Sequence, residues 1–374
     1  MQEQIPENVQ RWTAKRRAAL ILGIVKGETS AQEAARAHGL TVAEVEDWKE
    51  RYLAAAGSVP QPRSYSCMVF DQATGKVILF GEHAVVYGRP ALAAPVTQVC
   101  ATATVEPGEA GKGLVIDALD LRIRVTLADA GHPLAEVARL ALERLGLSSP
   151  DWRVSLRSTI PIASGLGSGA AVSAAVVRAL ASAAGCELDP AEVSDIVFQV
   201  ERLHHGTPSG VDNTVIAYGQ PVYFVRGQPP QLFAIGRPFT IAIGDTGVSS
   251  PTKVTVGGVR ARWQADPERY EARFDQVAAI VEASRRAIAG GAPHELGPLM
   301  DANHALLAEM GVSSPKLERL VRAARAAGAG GAKLSGGGRG GNMIALVTPD
   351  TADAVVAALD ARGAARVLVT EIGM

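Results

Sequence analysis

The sequence predicts an α+β chain: a small all-α unit, then a mixed body large enough for two domains. Three observations predict it. The first sixty residues place apolar side chains at helical spacing and show no strand-like run. From residue 67 onward, short β-branched runs alternate with helical segments. Much of the glycine, 39 residues in 374, gathers in a few clusters beside strand-like runs. Residues 67–374 suit a pair of domains of ordinary size, each with its own core.

In the first unit, Ala18, Ile21, Leu22 and Val25 fall at helical spacing after Lys15-Arg16-Arg17. Ser30 with Glu33 reads as a capping box that opens a second, short helix, and Gly39 ends it. Thr41 with Glu44 is another capping box, opening a third helix with Val45, Trp48 and Tyr52 on one face. Helix, short helix, glycine turn and helix form the helix-turn-helix pattern. It resembles the small helix-turn-helix units of transposase-like bacterial proteins. A recognition helix needs donors for phosphates and base edges. The third helix instead offers Glu44, Glu46, Asp47 and Glu50 against Lys49 and Arg51, and residues 1–60 hold eight acids and eight bases. A protein-contact or vestigial bundle is therefore the expected reading of residues 1–60, with nucleic-acid binding the less favoured alternative. Gly57 to Ser64 reads as a linker, and Met68 is a second candidate start that would delete the unit.

The body is read in order as follows. Lys76 to Phe80 is a short apolar strand, and Thr97 to Val105 and Leu121 to Leu127 are alternating β-branched runs. A helix is expected over Leu134 to Leu145 and a strand over Arg153 to Thr159. A glycine segment follows, then a long small-residue helix to Ala184, and helices over 190–204 and 208–217. The second half gives a strand at 239–245, helices at 268–289, 294–309 and 315–327, and a strand at 332–335. A glycine-rich β segment comes next, then a helix at 351–361 and a strand at 365–371. The expected division is 1–60, 67–236 and 237–374.

Composition excludes several classes. The net charge of -1, from 37 basic and 38 acidic residues, is not that of a protein that coats nucleic acid or an anionic membrane. Cys67, Cys100 and Cys186 form no CxxC pair, so neither a zinc knuckle nor a disulfide framework is expected. MQEQIPENVQ is no secretory signal, and no apolar run reaches the roughly 18 residues of a membrane span. The expected location is the cytoplasm.

Four segments carry chemistry. Pro161 to Ala171 holds Gly165-Leu-Gly-Ser-Gly-Ala170 and leads into a helix. Its glycines allow positive φ and close approach, and the free N–H groups of the helix start make a phosphate cradle. No Walker Gly-Lys-Ser or Gly-Lys-Thr occurs. Gly75-Lys-Val-Ile-Leu-Phe-Gly-Glu-His83 places Lys76 at a strand start and Glu82 and His83 past its end. Alone, it would read as a solvated lysine and a surface Glu-His pair. Gly331 to Asn342 has six glycines in twelve positions, five of them within 336–341, a loop able to close on a ligand. Glu201-Arg-Leu-His-His-Gly-Thr-Pro-Ser-Gly-Val-Asp-Asn213 brings Asp212, a candidate proton acceptor, to a helix start. It also brings Glu201, a candidate Mg²⁺ ligand. His204 and His205 are adjacent, which is not metal-ligand spacing, and read as a helix end.

These segments, in this order and spacing, resemble the signature motifs of the GHMP small-molecule kinase superfamily, and are most similar to its mevalonate kinase branch. The resemblance covers about residues 67–374. It implies a ribosomal-protein-S5-like N-terminal domain, a ferredoxin-like C-terminal domain, and ATP and mevalonate meeting between them. It implies a homodimer as well. Asp212 would take the proton of the mevalonate C5 hydroxyl, and Lys76 would stabilise the alkoxide. Gly165, Leu166, Gly167, Ser168, Gly169 and Ala170 would wrap the β- and γ-phosphates, and Gly336, Gly337 and Gly338 would close the site. Glu82, His83, Ser209, Thr246 and Thr252 would line the mevalonate pocket. Glu201 would hold Mg²⁺. The sequence departs from the superfamily at Gly169, where a magnesium-ligating serine is usual. Ser168, a water, or Glu201 alone then holds the metal. Arg339 stands where glycine is common and has two readings, a phosphate contact and a solvent-facing side chain. Two other functions compete: a kinase of a related alcohol or sugar, and a metabolite-sensing DNA-binding regulator.

Overall fold

The computed structural model describes residues 20–21, 24, 29–57, 68–161, 164–205, 208–249 and 252–373, apart from the side chains of 50–57, 204–205 and 252–253. Lys15 to Ala18, Leu22, Val25, the 58–64 linker and Cys67 lie outside the described residues, as do the side chains of Tyr52, His204, His205 and Thr252. The chain forms two compact units, residues 1–64 and 65–374.

In the first unit, α1 (Ala31–His38) begins at Ser30, whose hydroxyl accepts from the Glu33 amide while the Glu33 carboxylate takes the Ser30 amide. Gly39, at φ 65°, ends α1 in the left-handed region. The second capping box opens α2 (Val42–Gly57), with the Thr41 and Glu44 amides and side chains exchanging bonds of 2.9 and 3.2 Å. Ile21, Ala34, Ala35 and Val45 are buried together, with Trp48 and Leu20 packed on them.

The second unit holds two sheets. The first contains β1 (Val69–Phe80), β2 (Ala91–Pro107), β3 (Val115–Ala118), β4 (Ile123–Thr126), β5 (Trp152–Ser158), β6 (Val222–Phe224) and β7 (Gln231–Leu232). They run in the order β4-β3-β5-β2-β6-β7, with β1 antiparallel to β2, and only β3 and β5 pair in parallel. The second sheet contains β8 (Phe239–Asp245), β9 (Gly331–Ser335), β10 (Asn342–Val347) and β11 (Arg366–Ile372), in the antiparallel order β11-β8-β10-β9. Among the described residues no strand is shared between the sheets, and the partition of strands falls between 232 and 239.

Helices cover these sheets. In the first half they are α3 (Pro133–Arg144), α4 (Ser168–Ala183), α5 (Pro190–His205) and α6 (Val211–Tyr218). The second half has α7 (Thr252–Ala265), α8 (Pro267–Ala289), α9 (Leu296–Glu309), α10 (Pro315–Ala326) and α11 (Pro349–Ala361). Helix α4 buries Ala170, Ala171, Ala174, Ala175, Val176 and Val177. Its small side chains let it lie close on β1 and β2, whose inward faces are Val77, Leu79, Ala101 and Ala103. Among the described residues no helix is long and apolar enough to cross a membrane.

Most expected elements form within a few residues of their predicted bounds. The sequence reading missed α7, β3, β6 and β7, Val69 to Gly75 of β1, and the first third of β2. Helix α7 carries Gly257-Gly258 and five β-branched residues, which lower its helical preference. In β2, Ala91 to Ala94 are buried on both faces, so the alternation that marks a strand is missing there.

Candidate active site

Two helix starts and one strand converge. Helix α4 begins after Gly167, at φ 75°, with no side chain capping it, so its first amides remain free for an anion. Helix α6 begins after Gly210, at φ 94°, with the Ser209 hydroxyl accepting from the Val211 amide at 3.3 Å. Between the two lies Lys76 of β1, only 3% exposed, with Nζ 2.9 Å from Asp212 Oδ1.

Each part is held by its neighbours. The Lys76 amide donates to the Leu166 carbonyl at 3.0 Å, tying β1 to the glycine loop. A Cβ at Gly167 would stand 2.9 Å from Lys76 Cγ and 2.8 Å from Ile216 Cδ1, so only glycine lets the lysine stem pass. Helix α6 is fixed from two sides. Asn213 donates to Ser194 Oγ on α5 at 2.8 Å, and Arg178 of α4 donates to the Ala217 carbonyl at 2.7 Å. Asp212 therefore sits on a clamped first turn.

Glu201, near the end of α5, faces this pair. Burial, and then the charge of Asp212, push its carboxyl up to about 7, while Lys76 acts in the opposite direction. Gly169 lies beside it, since a Cβ there would be 3.6 Å from Glu201 Oε1. Ser168 is the first residue of α4 and is half-buried. Among the described residues, no group of three or more His, Cys, Asp or Glu side chains gathers as a metal cage.

Past the end of β1, Glu82 is 1% exposed and paired with Lys333 of β9, which is fully buried and also donates to the Leu334 carbonyl. Burial pushes the Glu82 carboxyl up and the Lys333 ammonium down, while each partner opposes the shift of the other. Among the described residues, Glu82 Oε2 has no hydrogen-bond partner. His83 has φ 62°, a position that strains a non-glycine residue, and its Nε2 lies 3.0 Å from the Gly337 carbonyl. Burial lowers its imidazole to about 4, so the ring is neutral at pH 7 and donates from Nε2.

The third glycine segment follows β9. Gly336 has φ 86° with open space around it. Gly338 and Gly340 serve packing instead, because a Cβ at either would strike the backbone oxygen of Val312 or Val248. Arg339 is exposed, with Nε near the Gly311 carbonyl at 3.4 Å. Asn342 donates to the Ser164 carbonyl at 2.7 Å, joining this loop to the first. Thr246 is fully buried beneath the loop. Its amide donates to the Gly341 carbonyl, and its hydroxyl accepts from Val248.

The structure thus brings Lys76, Asp212, Glu201 and the 165–170 loop together, and Glu82 with His83 beside the third loop. The sequence reading missed Lys333. It lies inside the quoted Gly331-to-Asn342 segment, and a lone lysine in an apolar strand run was the available signal.

Comparison with known proteins identifies the family of the chain. The model described as GHMP kinases N terminal domain matches residues 133–220, and GHMP kinases C terminal matches 280–365. The mevalonate kinase of Pyrococcus furiosus is 36% identical over 329 residues, 81% of this chain and 96% of that one. The chain belongs to the GHMP kinases, in the mevalonate kinase family. The Thermococcus sibiricus mevalonate kinase is 37% identical to it, over 79% of this chain and 93% of that one. Its fold matches the crystal structure of L. major mevalonate kinase in complex with R-mevalonate, with TM-score 0.72 and 30% identity over 83% and 98% of the two chains. Residues 1–58 of this kinase match a further family, described as a protein of unknown function (DUF1153).

Proposed function

We propose that this kinase transfers the γ-phosphoryl group of ATP to the C5 hydroxyl of mevalonate. One observation carries the reading. Lys76 bridges two helix starts, with its stem on Gly167 at the uncapped end of α4 and its ammonium on Asp212 in the first turn of α6. One end offers amides to a phosphate chain, and the other offers a carboxylate to an alcohol. The substrate of the named relatives supports mevalonate as the alcohol.

Phosphoryl transfer asks for positioning and charge stabilisation more than for covalent chemistry. The amides of residues 165–170 hold the β- and γ-phosphates. Asp212 accepts the C5 hydroxyl proton as the new oxygen–phosphorus bond forms and the bond to the ADP oxygen breaks. Lys76 stabilises the charge that builds on the attacking oxygen. Glu82, His83, Ser209 and Thr246 line the mevalonate end, with the bare Glu82 Oε2 as an acceptor. Gly336 and Gly337 approach the nucleotide from the second sheet, while Gly338 holds their loop against Val312.

Glu201 and the space beside Gly169 fit Mg²⁺, an ion that takes one or two carboxylates together with substrate phosphates. Glu201, with Ser168 as the neighbouring candidate, would hold it, and when bound it would neutralise phosphate charge. A homodimer and a division of the body near residue 236 belong to the same reading. The partition of strands between the two sheets supports the division. In the first unit, exposed Glu44 and Asp47 on α2 support protein contact over nucleic acid.

The test is ADP release by the full-length protein with Mg²⁺-ATP and mevalonate. Turnover should require mevalonate, and Asp212→Asn should lower kcat by about 100-fold or more, the scale of a lost general base. Turnover on another alcohol alone would overturn the substrate. Near-normal kcat in the variant would overturn the base.

A further inference from the structure

Gly169 is the second residue of α4 and has ordinary helical backbone, unlike Gly165 and Gly167 at φ 87° and 75°. Glycine weakens a helix relative to alanine. No turn and no close backbone approach calls for it here. A Cβ at 169 would meet one atom within 4 Å, Glu201 Oε1 at 3.6 Å, an ordinary contact. A side chain would therefore fit, yet the chain leaves the space open. On its far side is a carboxylate with no hydrogen-bond partner among the described residues, within the field of both Asp212 and Lys76.

We propose that this space holds a water molecule that ligates the divalent cation. The enzyme then meets its cation with the Glu201 carboxylate, phosphate oxygens and a water at position 169, with no side-chain oxygen there. The chemistry suits Mg²⁺, which gives up water reluctantly and usually keeps several in an octahedral shell. A hydroxyl at 169 would take the place of that water. The inference rests on the reading of Glu201 as the metal carboxylate.

The experiment uses full-length protein with Mn²⁺ and ADP. Exchangeable waters on the bound ion are counted by water-proton relaxation and by electron–nuclear double resonance in ¹⁷O-labelled water. The wild type should show one more water than Gly169→Ser, and Gly169→Ser should bind Mn²⁺–ADP roughly tenfold tighter, the low end of what one partner contributes to a metal. Gly169→Ala adds a methyl group that fits at the same distance and brings no oxygen. It should lose the water and bind roughly tenfold more weakly, with its melting temperature reporting an intact fold. Equal water counts in wild type and both variants would overturn the proposal. Glu201→Gln separates the two readings. Loss of Mn²⁺–ADP binding upholds the metal carboxylate, whereas unchanged binding overturns that assignment and the proposal with it.

Discussion

Replacing Glu201 with glutamine should make the cation-free enzyme more stable above neutral pH while removing its hold on the cation. Glu201 is withdrawn from water opposite Asp212, and these two causes raise its carboxyl from 4.5 to about 7. The unfolded chain releases this proton near 4.5, and the folded protein keeps it until about 7. Between those values the folded state binds more protons, so stability falls as pH rises through the window and is level above it. The rise corresponds to roughly 3 kcal/mol, at 1.36 kcal/mol for each pH unit. Glutamine keeps the shape and carries no charge, so it escapes the loss. Urea unfolding in EDTA at pH 5 and pH 8 measures the effect. The variant should exceed the wild type by roughly 3 kcal/mol at pH 8 and by little at pH 5. Adding Mg²⁺ and ADP should raise the stability of the wild type more than that of the variant, because ligand binding to the folded state adds stability by mass action. Parallel pH profiles for the two proteins would refute the argument.

Three further outcomes follow from the same geometry. Gly167→Ala places a methyl against the Lys76 stem at a positive φ; it should lower kcat by about 100-fold, the scale of a 1 Å misplacement, with a reduced melting temperature. His83 resists protonation down to about 4, while the unfolded chain takes the proton near 6.5. Stability should therefore fall by roughly 3 kcal/mol as pH drops through that window, and His83→Asn, which tolerates the backbone, should lack this component in acid unfolding curves. Lys333→Met strands a buried Glu82 charge and should cost about 3–5 kcal/mol. Adding Glu82→Gln should recover much of that in denaturant unfolding without restoring KM for the alcohol.

The glycine segments and Asp212 were legible because their chemistry is local. Gly167 is needed within one turn of the helix it opens, and Asp212 sits in the turn that its Ser-Gly sequence builds. The readable strands were those with one wet face, such as β5, where buried and exposed residues alternate from Trp152 to Ser158. What escaped depends on distance along the chain. Lys333 gains its meaning from Glu82, 251 residues earlier, and no spacing rule links them. The strained backbone of His83 is likewise invisible, since histidine gives no hint of a positive φ. Gly338 and Gly340 looked like ligand-facing residues in sequence. Their glycine identity answers to the Val312 and Val248 backbones, a packing requirement that a list of residues does not carry.

The two sheets of the kinase body meet through directional polar contacts as well as apolar ones. Lys333 reaches Glu82, Ser335 Oγ donates to the Ile78 carbonyl at 2.8 Å, His83 meets the Gly337 carbonyl, and Asn342 donates to the Ser164 carbonyl. Every one of these contacts joins the third glycine segment to the first strand motif or to the phosphate loop. Apolar packing of similar area would be as stable without the desolvation cost. It would tolerate sliding, however, and hydrogen bonds with fixed partners do not. A seam of this kind sets the register between the loop expected to cover the nucleotide and the strand that bears Lys76. Two acceptors on the seam, Glu82 Oε2 and Asn342 Oδ1, are buried and have no partner among the described residues. Each carries a desolvation cost that a donor on a bound ligand can repay. On the proposed function, the binding energy of substrate and the registration of the two sheets would therefore be drawn from the same few side chains.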